Sequence, residues 1–246
     1  MIDIQKLNLG SRLNQISCQF EQGKLTGIIG ANGAGKSSLV KAIVGITPFH
    51  QGQVIIDGMP LSNMKAKERS AKMAYLAQNT QTYWNLSVYD VIALGLPYAL
   101  KKSQEQEKVQ NIARYFSIDS LLQHPVHILS GGELARVHLA RSCIKDAPYL
   151  FADEPIAALD PYYQIEIMEH LQSLTPKITC IVVLHHLSLA YRYCDNILLL
   201  KQGKVIANGA TTSVLTQQNL ATALSISAQI DENTRSIHNI QKIAKY

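Results

Sequence analysis

The chain has 246 residues, 47% of them hydrophobic and only 17% charged. That is enough apolar material for one large domain, or one domain with an insertion, and it excludes disorder over most of the length. Lys and Arg number 23 against 18 Asp and Glu, a net +5 spread without a dense basic run, so a nucleic-acid partner is allowed but not indicated by charge. The opening MIDIQKLNLG lacks a basic start followed by a long apolar stretch, and no uncharged, predominantly apolar stretch reaches the roughly 18 residues of a membrane span. The four cysteines, Cys18, Cys143, Cys180 and Cys194, form no CxxC pair and read as buried, reduced thiols. So little charge implies that some apolar surface is kept for a partner.

In chain order, Leu25–Ile29 predicts a buried strand, followed by a Gly-rich turn and a helix from about Gly35 to Val44. Gln53–Asp57 and Met73–Ala77 predict further strands. From about Ser87 to Lys145 helical patterns replace strand signals, which marks an inserted helical subdomain. Within it, the polar run Lys101–Lys108 predicts a solvated loop or a helix start. Strand patterns return at Tyr149–Ala152, Thr179–Leu184 and Asn196–Leu200, and Asp160-Pro161 offers an N-cap with proline at the first helical position. Thr211–Leu215 and Gln217–Leu224 predict short helices, and Ser225–Ile240 a hairpin around Asp231-Glu232-Asn233. Residues from about 210 onward then form a solvated appendage to a single domain spanning the chain. The alternation predicts an α/β fold with a parallel-strand core.

Three motifs carry chemistry. Gly30-Ala-Asn32-Gly33-Ala34-Gly35-Lys36-Ser37 fits G-x-x-x-x-G-K-[ST] between a predicted strand and helix, with Ser38 next in line. Its glycines let successive N–H groups face phosphate oxygens, Lys36 supplies a charge to the β- and γ-phosphates, and the Ser37 hydroxyl can ligate Mg²⁺. The apolar strand Tyr149–Ala152 ends in Asp153-Glu154, a metal-holding carboxylate and a general base for an attacking water. Leu129-Ser130-Gly131-Gly132-Glu133 contains an S-x-x-E capping box and, with two glycines at a helix start, a second anion site.

On that element the sequence resembles the ATP-binding cassette (ABC) transporter ATPases, whose signature is LSGGE or LSGGQ. Motifs in the family's order extend the resemblance from about Lys6 to Gly209: Tyr75-Leu-Ala-Gln78 is similar to the Q-loop, Ala158-Leu159-Asp160 to the D-loop, and Val183-Leu184-His185 to the switch histidine. The resemblance implies a P-loop NTPase with a RecA-like parallel-sheet core, an N-terminal antiparallel β subdomain and the helical insertion. It implies ATP and Mg²⁺ as cofactors, with Ser37, Gln78 and Asp153 toward the metal and Glu154, His185 and Gln78 toward the attacking water. It also implies a head-to-tail homodimer holding two ATP molecules. Each would lie between one copy's phosphate loop and the other copy's Ser130, Gly131, Gly132 and Glu133, with Asp160 reporting across the interface.

Two departures stand out. Leu7–Leu13 presents no aromatic residue to stack on adenine, leaving Arg12 or aliphatic contact in that place, and His186 follows His185 where the family commonly has aspartate. The run Val182-Val-Leu-His185-His-Leu-Ser-Leu-Ala190 and the stretch Ala152–Asp160 resemble the importers of iron–siderophore, haem and vitamin B12. Implied partners are integral-membrane permease subunits and, indirectly, a periplasmic or surface substrate-binding protein, with the chain on the cytoplasmic face of the inner membrane. Thr82-Tyr83-Trp84-Asn85-Leu86, after the Q-loop, is the expected docking segment, with its aromatic residues divided between interface and core. Tyr98 is read as subdomain core. Alternatives are a zinc/manganese importer, an exporter, a soluble ABC ATPase, which usually carries a coiled coil or two cassettes, and a P-loop kinase or a module without turnover. LSGGE disfavours a kinase, and intact Glu154 and His185 disfavour a dead site.

Overall fold

Apolar residues alternate with polar ones at Ile2, Ile4 and Leu7 and again at Leu13, Ile16, Cys18 and Phe20. The segments form β1 (Ile2–Leu9) and β2 (Leu13–Phe20), paired antiparallel with one face buried. The computed structural model describes residues 1–78, 85–97, 100–157 and 159–243. Thr82, Tyr83, Trp84, Tyr98 and Ala158, named above, lie outside them. β3 (Leu25–Gly30) is buried at every residue and leads into α1 (Lys36–Ile43); β4 (Gln51–Ile56) and β5 (Met59–Pro60) follow. Next come α2 (Ala66–Lys72) and β6 (Met73–Leu76), then a helical stretch with α3 (Val88–Ala93), α4 (Lys102–Tyr115) and α5 (Gly131–Cys143). The polar run at 101–108 is therefore a helix start. β7 (Tyr149–Asp153), α6 (Pro161–Leu174), β8 (Thr179–Val183), α7 (Leu187–Tyr193) and β9 (Asn196–Lys201) restore the alternation. β10 (Lys204–Ala210), α8 (Thr211–Val214), α9 (Gln217–Leu224), β11 (Ile226–Asp231) and β12 (Ser236–Lys242) complete the described chain.

Two sheets stack. One is antiparallel, in the order β2-β1-β4-β5, and the other runs β10-β9-β3-β8-β7-β6, parallel apart from β10. The parallel strands bury both faces, as near-continuous apolar runs must. In β8, Ile181 and Val183 join Ile28, Phe151 and Leu198 in a core shared with α1 and the antiparallel sheet, while Cys180 and Val182 face a second core with α5, α6 and α7. All four cysteines are buried and free, and burial pushes the Cys18 and Cys143 thiols up to about 12. Among the described residues no helix is long and apolar enough to cross a membrane.

Register decides where chemistry can gather. Ile28 pairs with Val183, and Val183 with Asp153, so the carboxyl ends of β3, β8 and β7 share one edge. In an open α/β sheet that edge is where ligands bind. β5 and β10 add strands that the sequence pattern did not mark. At the N-terminus of α6, Asp160 is in the N-cap position with Pro161 in the first turn, yet its side chain makes no capping hydrogen bond.

Candidate nucleotide site

Residues 31–35 turn the end of β3 into α1. Gly35 sits at φ +99°, a left-handed conformation that β-carbon-bearing residues rarely adopt, and an added β-carbon there would stand 2.8 Å from the Arg12 carbonyl oxygen. No side chain caps α1 and no acidic residue occupies its first turn, so the helix start is open to an anion. The turn is clamped from outside by the Gly203 N–H, which donates to the Ala34 carbonyl at 3.0 Å, while the Asn14 N–H donates to the Gly203 carbonyl at 2.8 Å.

Lys36 lies inside this turn, 5% exposed, with Nζ donating to the carbonyls of Gly30 at 2.8 Å and Ala31 at 3.1 Å. Burial draws its pKa down, and the carboxylates of Glu154 and Asp153 oppose that shift. Ser37 Oγ donates to Asp153 Oδ1 at 2.8 Å. Asp153 is 1% exposed; burial pushes its pKa up, against the hydrogen bond from Ser37. The Tyr75 hydroxyl lies 3.4 Å from Asp153 Oδ2, and burial together with that carboxylate raises the phenol to about 12.

Glu154 follows at φ +56°, a costly backbone conformation for glutamate and one that clusters at functional sites. Its two carboxylate oxygens are held from opposite sides. Gln78 Nε2 donates to Oε2 at 2.7 Å, and His185 Nε2 meets Oε1 at 2.6 Å. Because an ionised carboxylate only accepts, Nε2 of His185 carries the proton. These groups surround a cleft of about 660 Å³ lined by Arg12, residues 32–38, Gln78, Glu154 and His185. No aromatic side chain lines it among the described residues.

The remaining candidates stand elsewhere. Ser130, Gly131, Gly132 and Glu133 open α5 and do not line the phosphate cleft. Ser130 N–H and Oγ both donate to Glu133 Oε2 at 2.8 Å, and the Glu133 N–H donates back to Ser130 Oγ at 3.3 Å. Those bonds hold the Glu133 carboxyl below the usual range. Gly132 is glycine for a packing reason, since an added β-carbon would lie 2.5 Å from the Tyr163 ring. Asp160 is exposed at the start of α6.

Two residues escaped the sequence reading. Tyr75 lies in the segment Tyr75-Leu-Ala-Gln78 with no sequence signal of its own. Gln164 donates through Nε2 to the carbonyls of Ile156 at 3.2 Å and Leu159 at 3.0 Å and lies 3.5 Å from His186 Nε2. It ties the turn before α6 to the segment between β8 and α7, which no local pattern signals.

A strand-to-helix phosphate loop, a buried serine–aspartate pair and a bracketed glutamate on one sheet edge define a P-loop nucleotide hydrolase. The profile of the ABC transporter family matches residues 13–157. The vitamin B12 import ATP-binding protein BtuD of Vibrio cholerae serotype O1 (strain M66-2) is 36% identical over 230 residues, 89% of this chain and 91% of that protein. The hemin import ATP-binding protein HmuV of Bartonella quintana is 37% identical over 235 residues, 89% and 88%. Among solved structures, cbiO1 from Clostridium perfringens, part of the ABC transporter complex cbiONQ, matches with TM-score 0.81 at 27% identity over 91% of this chain and 94% of that one. The ATP-binding cassette MJ0796, dimeric with ADP and Pi bound, shares the fold with TM-score 0.75 at 23% identity, over 86% and 99%. This chain belongs to the ABC transporter family, as an ATP-binding protein whose ATPase activity is coupled to transport.

Proposed function

We propose that this chain is the ATP-hydrolysing motor of an importer for metal chelates of the vitamin B12, haem or iron–siderophore kind. It works as a head-to-tail homodimer against permease subunits on the cytoplasmic face of the membrane, with a periplasmic or surface binding protein delivering cargo. The observation that carries the catalytic reading is the bracketing of Glu154 by Gln78 and His185 at the mouth of the phosphate cleft. Two relatives named for B12 and hemin import support the choice of cargo class.

In this reading the backbone of residues 32–38 and Lys36 hold the phosphates. Ser37, Asp153 and Gln78 would hold Mg²⁺; a hydroxyl, one buried carboxylate and an amide are the hard oxygen donors that suit it, leaving positions for water and phosphate. The ion offsets phosphate charge when bound. Glu154 accepts the proton of the water that attacks the γ-phosphorus as the bond to ADP breaks, and His185 keeps that carboxylate and the γ-phosphate in register. Ser130–Glu133 lie outside their own chain's cleft and are already satisfied as a capping box, which suits a helix N-terminus offered to the ATP of a second copy. Closing two copies over ATP completes both sites, and loss of the γ-phosphate releases them.

The test is Glu154→Gln. It should still bind ATP and dimerise, while hydrolysis falls by about 10²- to 10⁴-fold; a wild-type rate removes Glu154 as base. Cargo is tested in liposomes carrying the chain with its permease. ATP-dependent uptake of cobalamin, hemin or a ferric siderophore supports the reading, and uptake of none of them overturns it.

A further inference from the structure

The C-terminal hairpin β11–β12 reads from sequence as a solvated appendage, yet it packs on the helix that follows the switch histidine. We propose that this hairpin, through Ser188, positions His185 for hydrolysis. The proposal rests on the reading of His185 given above.

His185 and His186 bridge from Leu184, just beyond β8, to Leu187, the first residue of α7. At the front, the segment is fixed by the Leu184 N–H donating to the Ile28 carbonyl at 3.1 Å. At the back it depends on α7, which has only 7 residues and no side-chain cap at His186. A helix so short does not hold its place by itself. Its inner face is anchored by Leu187, Ala190, Tyr191 and Tyr193, all buried. Its other anchor is the hairpin. Ala228 and Ile237, 5% and 3% exposed, belong to the same core as those residues.

One hydrogen bond joins the two directly. Ser188 Oγ donates to the Ile237 carbonyl in β12 at 2.6 Å, across 49 residues of sequence. Ser188 is three positions after His185 and does not line the nucleotide cleft. The imidazole it steadies meets Glu154 Oε1 at 2.6 Å, a contact whose strength falls steeply with misplacement. The acceptor is a backbone carbonyl in a paired strand, opposite Ile230, so the anchor is as rigid as the hairpin. Ser188 is thus a positioning residue that acts through His185.

The experiment measures kcat and KM for ATP, ATP affinity at equilibrium and Tm on the full chain. The variants are Ser188→Ala, Ser188→Thr, His185→Ala and the double variant Ser188→Ala with His185→Ala. Thr211→Val is the stability control, because its hydroxyl makes a buried hydrogen bond to the Cys194 carbonyl at 2.7 Å, away from the switch. Ser188→Ala should lower kcat about 3- to 10-fold, the worth of one hydrogen bond, with KM and affinity within about twofold. Ser188→Thr should restore kcat, and Thr211→Val should lower Tm without lowering kcat. With His185→Ala already present, Ser188→Ala should cost nothing more. Wild-type kcat in Ser188→Ala, an equal loss in Thr211→Val, no recovery with threonine, or an undiminished loss in the His185→Ala background would each overturn the proposal. If His185→Ala itself hydrolyses at the wild-type rate, the histidine has no role in hydrolysis and this proposal falls with that reading.

Discussion

Lys36 and Asp153 are 5% and 1% exposed, whereas Ser130 and Gly131 stand in solvent at the end of α5. Both groups flank helix N-termini, but they are finished differently. The phosphate-loop side is locked by tertiary contacts: the Gly203 turn outside, Lys36 folded back on two carbonyls and Ser37 bonded to Asp153. The signature side is closed by its own capping box, Ser130 with Glu133. A helix start satisfied locally can face outward at little desolvation cost, while a loop built around buried charges must be carried by the core.

The largest expected effect tests the buried half. Lys36→Met keeps an apolar stem and removes the ammonium. ATP affinity, followed by titration calorimetry, should fall about 10- to 100-fold, the worth of charge-assisted hydrogen bonds. The fold should survive, because the apolar stem replaces a charge whose burial is itself unfavourable. Affinity within threefold of wild type would mean that the backbone alone holds the phosphates and that the buried lysine is structural.

Ser130→Ala probes the outward half. Loss of the cap should cost about 1 kcal/mol of stability, read by urea denaturation. ATP binding by the isolated chain should be unchanged, since Ser130 does not line that cleft. In a Glu154→Gln background the same change should weaken ATP-dependent dimer formation, measured by size-exclusion chromatography with light scattering. If Ser130→Ala instead lowered ATP binding to the monomer as much as Lys36→Met, the two halves would be one site and the contrast would fail.

The same contrast explains what was legible beforehand. The phosphate loop reads from sequence because its glycines answer backbone demands, such as φ +99° at Gly35, that few residues meet. The capping box reads because its hydrogen bonds span three positions. The parallel core, though not its strand order, is legible from apolar runs too continuous for one-sided strands, while β10 is not, because its residues are only half-buried. Glu154 was legible as a carboxylate but not as a residue at φ +56°, since that conformation is imposed by neighbours. Gln164, Tyr75 and Ser188 find their partners 5 to 8, 78 and 49 residues away. Each is a common polar residue, and only the folded chain says which one matters.

The smallest effect sharpens the comparison at the two ends of β7. At the carboxyl end, burial pushes Asp153 up. At the amino end, Tyr149 and Lys72 hydrogen-bond Asp57. Burial alone would raise Asp57 too, but those bonds and the chain's amino group outweigh it and hold the carboxyl at about 2, below its ordinary 3.8. The signs are therefore opposite. A depressed carboxyl contributes stability that is present above pH 3.8 and is lost as pH falls toward 2; a raised one costs stability as pH climbs through its folded value. Asp57→Asn should lower stability at pH 7 by no more than about 1 kcal/mol, because the pair is partly exposed, and should flatten the acid limb between pH 4 and 2. Asp153→Asn should raise the stability of the nucleotide-free chain at pH 7 while leaving that acid limb steep. Urea denaturation across pH separates the two, and ATP affinity at pH 7 should be untouched in Asp57→Asn. A stabilising Asp57→Asn would show that desolvation wins at both ends of the strand.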